Sequence, residues 1–176
     1  MIIAEQKPFE EIYGTVRGSR KLLVLGCGTC VTVCMAGGEK ETATLASTIR
    51  LANRKNGVDM EVREDTIERQ CDREFFEKVR ESVAWADTVL SMACGVGVQY
   101  CGEVFEGKRV VPALNTSFYG TTLEQGVWSE RCAGCGNCVL EEFGGICPIA
   151  RCSKSLLNGP CGGSQNGKCE VDPENI

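Results

Sequence analysis

Thirteen cysteines and the complete absence of histidine define the chemistry that this chain can carry out. Without histidine it can form neither a Ser/His or Cys/His catalytic pair nor a mixed Cys/His zinc site. The cysteines are odd in number and stand in tight groups, which is not the pattern of a disulfide-rich secreted domain. Grouped thiolates are ligands for metal, so we expect the cysteines to bind a metal centre.

The first group of cysteines is associated with strand-like segments in the N-terminal part of the chain. Its members are Cys27, Cys30, Cys34, Cys71 and Cys94. Open parallel sheets bind ligands at the carboxyl ends of their strands, so these residues should meet at one edge of a sheet. A [4Fe–4S] cluster needs four thiolates around a compact cube, and this group can supply them.

The ligands predicted for the first cluster are Cys27, Cys30, Cys34 and Cys94, with Cys71 as the first substitute. Two alternatives stay open. Cys34 and Cys101 are alternatively buried thiols that pack as small apolar residues. Residues 26–31 also resemble the start of a dinucleotide-binding fingerprint, which would indicate a nicotinamide or flavin site. That fingerprint lacks its third glycine, and cysteines fill its variable positions, so the cluster is the better interpretation.

The second group of cysteines has the spacing C-x2-C-x2-C, followed later by a Cys-Pro pair. The spacing is close to that of bacterial ferredoxins, with a longer gap before the last cysteine. The predicted ligands of a second [4Fe–4S] cluster are Cys132, Cys135, Cys138 and Cys147. Structural zinc is the alternative at such a site, although zinc ligands normally form two separated pairs. Three further cysteines either replace Cys138 or Cys147 or pack as plain thiols: Cys152, Cys161 and Cys169.

Strand and helix patterns alternate in the part of the chain that carries the first group. Apolar runs predict strands at residues 21–25, 58–62, 88–90 and 110–114. Apolar residues at helical spacing predict helices at residues 38–53 and 72–86. This alternation predicts an α/β fold in residues 1–128: a small three-layer structure around a mostly parallel sheet, similar to Rossmann or flavodoxin-like domains.

Residues 129–176 are predicted to form an irregular, cysteine-rich segment. From residue 132 onward the chain contains seven cysteines, eight glycines and almost no hydrophobic periodicity. Such a segment buries too little apolar surface to order itself, so we expect the second metal centre to hold it together.

The overall composition excludes some partners. The formal net charge of −5 argues against nucleic acid, which needs a basic surface. No apolar run reaches the length of about 18 residues that a membrane span needs. The first residues lack the basic start and apolar stretch of a signal peptide, so we expect a cytoplasmic protein.

Four motifs resemble one known family, and they lie at residues 25–30, 93–99, 112–116 and 154–163. The family is that of the methylenetetrahydrofolate reductase C-terminal domain, a cysteine-rich module. In acetogenic bacteria and their relatives this module forms a separate small subunit beside a flavin-bearing catalytic subunit.

The resemblance implies an accessory subunit for electron transfer that is not catalytic alone. It would relay electrons to or from the flavin of the methylenetetrahydrofolate reductase catalytic subunit, in the methyl branch of the reductive acetyl-CoA (Wood–Ljungdahl) pathway. Ferredoxin or a larger electron-transfer complex is a candidate further partner. Two other hypotheses remain: a zinc-stabilised module that anchors the catalytic flavoprotein, and a self-contained reductase with its own flavin.

Overall fold

A computed structural model describes residues 1–156 and 161–174. The chain divides into two compact units, Met1–Ser117 and Phe118–Ile176. The first unit begins with strand β1 (Ile2–Gln6) and helix α1 (Phe9–Val16), neither of which the sequence patterns predict. Among the residues described, no helix is long and apolar enough to cross a membrane.

A four-stranded parallel sheet forms the centre of the first unit. Its strands are β2 (Lys21–Cys27), β3 (Glu61–Ile67), β4 (Thr88–Ser91) and β5 (Arg109–Pro112). They lie in the order β3-β2-β4-β5, and every neighbouring pair is parallel. The predicted α/β class with a parallel sheet is therefore confirmed. The strand order reverses between β2 and β4, and ligands of open α/β sheets bind outside the carboxyl ends of strands at such a point.

The sheet is held by an apolar core on which helical segments pack. A short helix, α2 (Cys30–Val33), follows β2, and the long helix α3 (Glu39–Asn56) leads to β3. After β3 come a 3₁₀ helix (Arg73–Val79) and α4 (Arg80–Trp85), and α5 (Gly95–Val104) follows β4. One core cluster joins Leu25 and Val89 of the sheet to Phe76 and Val83 of these helical segments. Burial of such side chains is the main force that keeps the strands in place.

The observed elements differ from the predicted ones where local signals are weak. The predicted helix at residues 38–53 corresponds to α3, but the strand predicted at residues 58–62 begins only at Glu61 and continues to Ile67. As an edge strand, β3 carries four charged residues, three of them exposed, and these interrupt the apolar run by which a buried strand is predicted. The helix predicted at residues 72–86 consists of the 3₁₀ helix and α4.

The second unit contains little regular structure. Strand β6 (Leu114–Glu124) crosses the boundary between the units and pairs with β7 (Val127–Cys132) in an antiparallel hairpin. The order of this second sheet is β1-β6-β7, which the sequence patterns do not predict. A 3₁₀ turn (Leu140–Phe143) and α6 (Pro148–Arg151) follow. Within residues 118–156 and 161–174, no residue is buried, so the unit has very little core of its own.

Candidate metal centre

The first group of cysteines lies where neighbouring parallel strands end. β2 ends at Cys27, and Cys30 opens the short helix α2 directly after it. Cys71 follows the end of β3 by four residues, and Cys94 is the residue before the first turn of α5, just beyond β4. The parallel sheet thus brings cysteines from three adjacent strands to one edge, at the point where its strand order reverses.

The pKa of the Cys71 thiol responds to two other cysteines of the first group. Burial raises the pKa of the Cys71 thiol, and the nearby Cys27 and Cys94 thiolates raise it further. Cys27 and Cys94 are themselves buried, with 7% and 9% of their surfaces exposed. A cationic metal centre bound by these cysteines would stabilise their thiolates, because metal coordination favours the deprotonated sulfur. The chemistry of this donor set therefore fits a thiolate-bound metal centre.

Cys34 is held differently from the other members of the first group. Its thiol is buried and donates hydrogen bonds to the backbone carbonyl oxygens of Ala4 at 3.5 Å and Val31 at 3.6 Å. Burial raises the pKa of Cys34, and the charge of Cys30 adds to that rise. These contacts favour the alternative that Cys34 is a packed thiol, while its role as a ligand stays a prediction.

Cys101 belongs to the hydrophobic core. It is completely buried in the cluster that contains Phe76 and Val83, and burial raises the pKa of its thiol to about 12. A thiol that keeps its proton to such a pH behaves as a small apolar side chain. The structure therefore favours the packing role that the sequence left open for Cys101.

From the sequence, Cys71 is predicted as the first substitute ligand, and the end of the preceding strand is placed five residues too early. The predicted strand stops at residue 62, whereas β3 continues to Ile67 and ends close to Cys71. The side chains of Val62 and Ile67 are buried, whereas the residues between them are exposed or half-buried. The apolar residue Ile67 is the signal in the sequence that this strand continues beyond residue 62.

The second group of cysteines lines a small cavity in the second unit. All four predicted ligands line this cavity of about 110 Å³: Cys132, Cys135, Cys138 and Cys147. Cys132 ends β7, and Cys147 stands directly before α6. Gly134 and Gly136 take positive φ angles of 66° and 77°, so the loop between the cysteines turns tightly around the cavity. The sequence spacing and the cavity therefore agree on the same four residues.

Backbone amides point at two sulfur atoms of the second group. The Gly134 N–H donates to the Cys132 Sγ at 3.4 Å, and the Ala150 N–H donates to the Cys147 Sγ at 3.5 Å. Hydrogen bonds from amides stabilise a charged acceptor, and they also tune clusters held by cysteine. Four cysteines line one cavity, and amides are directed at the sulfurs of two of them, so the type of donor suits a [4Fe–4S] cluster and also four-cysteine zinc. In the described residues, no three Cys, Asp or Glu side chains form a group that could hold a metal ion.

The last three cysteines also lie near hydrogen-bond donors. Cys152 Sγ accepts a bond from the Leu156 N–H at 3.5 Å, and this bond is the main cause that lowers the pKa of the Cys152 thiol. The Lys154 ammonium lies 3.8 Å from the Cys161 Sγ, and Cys169 Sγ accepts a bond from a backbone amide at 3.4 Å. Residues 157–160, which belong to one of the motifs that carry the family resemblance, lie outside the described residues.

The fold and the cysteine groups thus define an α/β protein that carries thiolate-rich candidate metal sites. Residues 111–176 match the family described as methylene-tetrahydrofolate reductase C terminal. The match confirms, for this segment, the family that the sequence resembles, and it includes every cysteine of the second group. The first group lies before the matched segment. Neither the comparison with curated proteins nor the comparison with solved structures gave a match.

Proposed function

We propose that this chain is the iron–sulfur electron-transfer subunit of a methylenetetrahydrofolate reductase. It relays electrons to or from the flavin of a catalytic partner subunit in the methyl branch of the reductive acetyl-CoA pathway. The observation that carries the proposal is the cavity lined by four cysteines, because it lies inside the segment that matches the reductase family. Further support comes from the first group of cysteines, which lies at the carboxyl ends of the strands of the parallel sheet.

The proposed ligands of the first site are Cys27, Cys30, Cys71 and Cys94. Cys71 replaces Cys34 in this set because its thiol is coupled to Cys27 and Cys94, whereas the Cys34 thiol is bonded to the Ala4 carbonyl. The proposed ligands of the second site are the four that line the cavity: Cys132, Cys135, Cys138 and Cys147. In the second site, backbone amides donate hydrogen bonds to the sulfurs of Cys132 and Cys147.

The division of work with a partner follows from the residues of this chain. [4Fe–4S] clusters supply one-electron transfer, whereas a flavin can take up two electrons singly and release a hydride. This chain contains no histidine for proton transfer and no complete nucleotide-binding fingerprint. The hydride chemistry therefore belongs to the flavoprotein. The role of this chain is to deliver electrons singly from a one-electron donor to the flavin of that partner.

The zinc-stabilised module that anchors the flavoprotein is the second candidate, since four cysteines around one cavity also suit zinc. The two candidates differ in what they do for the partner. An electron-transfer subunit makes the flavoprotein able to use a one-electron donor, whereas an anchor only stabilises it.

The test assays methylenetetrahydrofolate reduction by the flavoprotein alone, by this chain alone and by the two together. Reduced ferredoxin or a reduced viologen serves as the donor. We expect no reduction by this chain alone and donor-dependent reduction only when both proteins are present. Reduction by this chain alone, or full use of the donor by the flavoprotein alone, would rule out the relay role.

A further inference from the structure

A completely buried amide side chain lies between the strand ends that carry the first group of cysteines. Gln70 has 0% of its surface exposed, and its Nε2 donates hydrogen bonds to the carbonyl oxygens of Leu25 at 2.8 Å and Gly26 at 3.1 Å. Its Oε1 accepts a bond from the buried Ser91 hydroxyl at 2.7 Å. Because a buried amide without partners is costly, these bonds hold the side chain in one position.

Each of the three chain segments that this network reaches continues directly into a cysteine. The Ser91 Oγ also accepts a hydrogen bond from the Ala93 N–H at 3.3 Å, so the network extends into the loop after β4. Three network residues are each followed by a cysteine, in the pairs Gly26–Cys27, Gln70–Cys71 and Ala93–Cys94. The cysteines of the first and third pairs, Cys27 and Cys94, are also the two that raise the pKa of the Cys71 thiol by their charge.

The path of the chain explains why one residue can connect all three loops. β2 lies between β3 and β4 in the sheet, so the chain leaving β3 must pass over the end of β2 to bring Gln70 to Ser91. The hydrogen bonds to Leu25 and Gly26 fasten it to β2 on the way. Cys71, the next residue, is thereby held near the ends of the two central strands.

The first turn of α5 packs against this network without spare room. A Cβ atom added at Gly97 would lie 2.7 Å from the Ala93 Cβ and 2.9 Å from the Gln70 Cβ, which is closer than such atoms approach. Gly97 therefore lets the helix that begins just after Cys94 sit directly on Gln70. The loop of Cys94 is fixed from two sides, by the Ser91 hydroxyl and by the start of α5.

We propose that Gln70, with Ser91 as its partner, is the positioning residue that sets the spacing of Cys27, Cys71 and Cys94 for metal binding. The proposal rests on the proposed function, in which these thiolates hold one [4Fe–4S] cluster. Gln70 touches no metal itself; it holds the ligand loops, as outer-shell hydrogen bonds do in other metal sites. Hydrogen bonding around a cluster also tunes its reduction potential, so the loss of this network should be visible in the spectrum.

Three substitutions in the full chain separate positioning from general stability. Gln70→Leu keeps a buried side chain of similar size but removes every hydrogen bond of the amide. Ser91→Ala removes two bonds of the network, the one donated to the Gln70 Oε1 and the one accepted from the Ala93 N–H, and keeps the bonds of Gln70 to β2. Ser19→Ala is the matched control, because the Ser19 hydroxyl donates a 2.8 Å bond to Thr88 at the opposite end of the same strand β4.

The measurements are iron and acid-labile sulfide content, the electron paramagnetic resonance spectrum after reduction, and thermal unfolding, all without oxygen. We expect Gln70→Leu to lose the iron of the first site, about half of the total if each site holds one cluster. Ser91→Ala should keep its iron and show a shifted signal and reduction potential for one cluster only. Ser19→Ala should match the wild type in iron and spectrum even where its thermal stability falls.

The outcomes distinguish this inference from the proposed function beneath it. If the wild type holds two clusters and both network variants match it in iron and spectrum, Gln70 has no positioning role and the proposed function stands. If Ser19→Ala lost as much iron as Gln70→Leu, the loss would reflect general stability, and the inference would be overturned. A wild-type chain without iron would contradict the proposed function itself, and the inference with it. Should Gln70→Leu fail to fold, a wild-type spectrum of Ser91→Ala is sufficient to overturn the inference.

Discussion

At the scale of single residues, Cys101 is completely buried, and burial raises the pKa of its thiol from 9.0 to about 12. Below pH 9 this thiol is neutral in both the folded and the unfolded chain, so its packing contributes fully to stability. Between pH 9 and about 12 the unfolded chain gives up the proton while the folded chain keeps it. The free energy of unfolding should therefore fall over this window, by about 1.4 kcal/mol per pH unit from this one group.

Cys101→Val tests the effect, because valine packs as an apolar side chain and cannot ionise. We expect its free energy of unfolding to fall less steeply above pH 9 than that of the wild type, by the slope of one proton. Urea unfolding on both sides of pH 9 measures the slope for each protein. The same alkaline slope in the variant and the wild type would show that Cys101 does not titrate in this way.

Cys34 and Cys71 give a matched pair of substitutions for the ligands of the first site. The Cys34 thiol is bonded to the Ala4 carbonyl, whereas the Cys71 thiol is coupled to Cys27 and Cys94. We expect Cys71→Ser to lose about four iron atoms per chain, the content of one cubane cluster. Cys34→Ser should keep nearly all of its iron. Iron analysis in which Cys34→Ser loses the cluster and Cys71→Ser retains it would restore the ligand set expected from the sequence.

At the scale of elements, the sequence predicts the parts of the fold whose apolar pattern is strong. Helix α3 follows from the spacing of Leu45 and Ile49, which are buried, and Gly57 ends it in the left-handed conformation. Strand β2 follows from its apolar run, since residues 22–27 are all buried. In these segments the local pattern and the tertiary packing require the same structure, so the pattern alone is sufficient.

Elements whose stability comes from pairing rather than from an apolar face are not predictable in this way. Strand β6 (Leu114–Glu124) is exposed along most of its length and exists through its pairing with other strands. Its partner β7 carries Cys132, so the hairpin of β6 and β7 leads into the second site. Hydrophobic periodicity does not predict this hairpin. The four cysteines around the cavity could be anticipated, because their spacing alone indicates a shared centre.

The second unit should depend on its metal centre for order, because none of its described residues is buried. We expect Cys132→Ser or Cys135→Ser to make residues 129–176 sensitive to protease while the first unit stays folded. The free energy that orders such a segment comes mainly from the bonds to metal. Limited proteolysis with mass analysis of the fragments measures this directly.

A control for this experiment is Cys101→Ala, which weakens the core of the first unit and leaves the second group intact. It should leave the protease sensitivity of residues 129–176 unchanged. A Cys132→Ser segment that resists protease as well as the wild type would show that the segment is ordered without its metal centre.

At the scale of the whole molecule, the two cysteine groups rest on different kinds of support. The second group lies in the segment that matches the reductase family, and its four cysteines line one cavity. The first group lies outside that segment and rests on the topology of the sheet and on the effect of Cys27 and Cys94 on the pKa of Cys71. From the sequence, the convergence of these cysteines on one sheet edge could be expected; the choice among them needed the side-chain contacts of Cys34 and Cys71.

The central claim is that the chain carries two [4Fe–4S] clusters, and metal analysis tests it most directly. Two groups of four thiolates predict about eight iron atoms and about eight acid-labile sulfides per chain after purification without oxygen. The protein should then be brown, absorb broadly near the violet and bleach on reduction with dithionite. If only about four iron atoms were found, the chain would carry one cluster, and we would assign it to the cavity of the second unit. Stoichiometric zinc without iron would contradict the account.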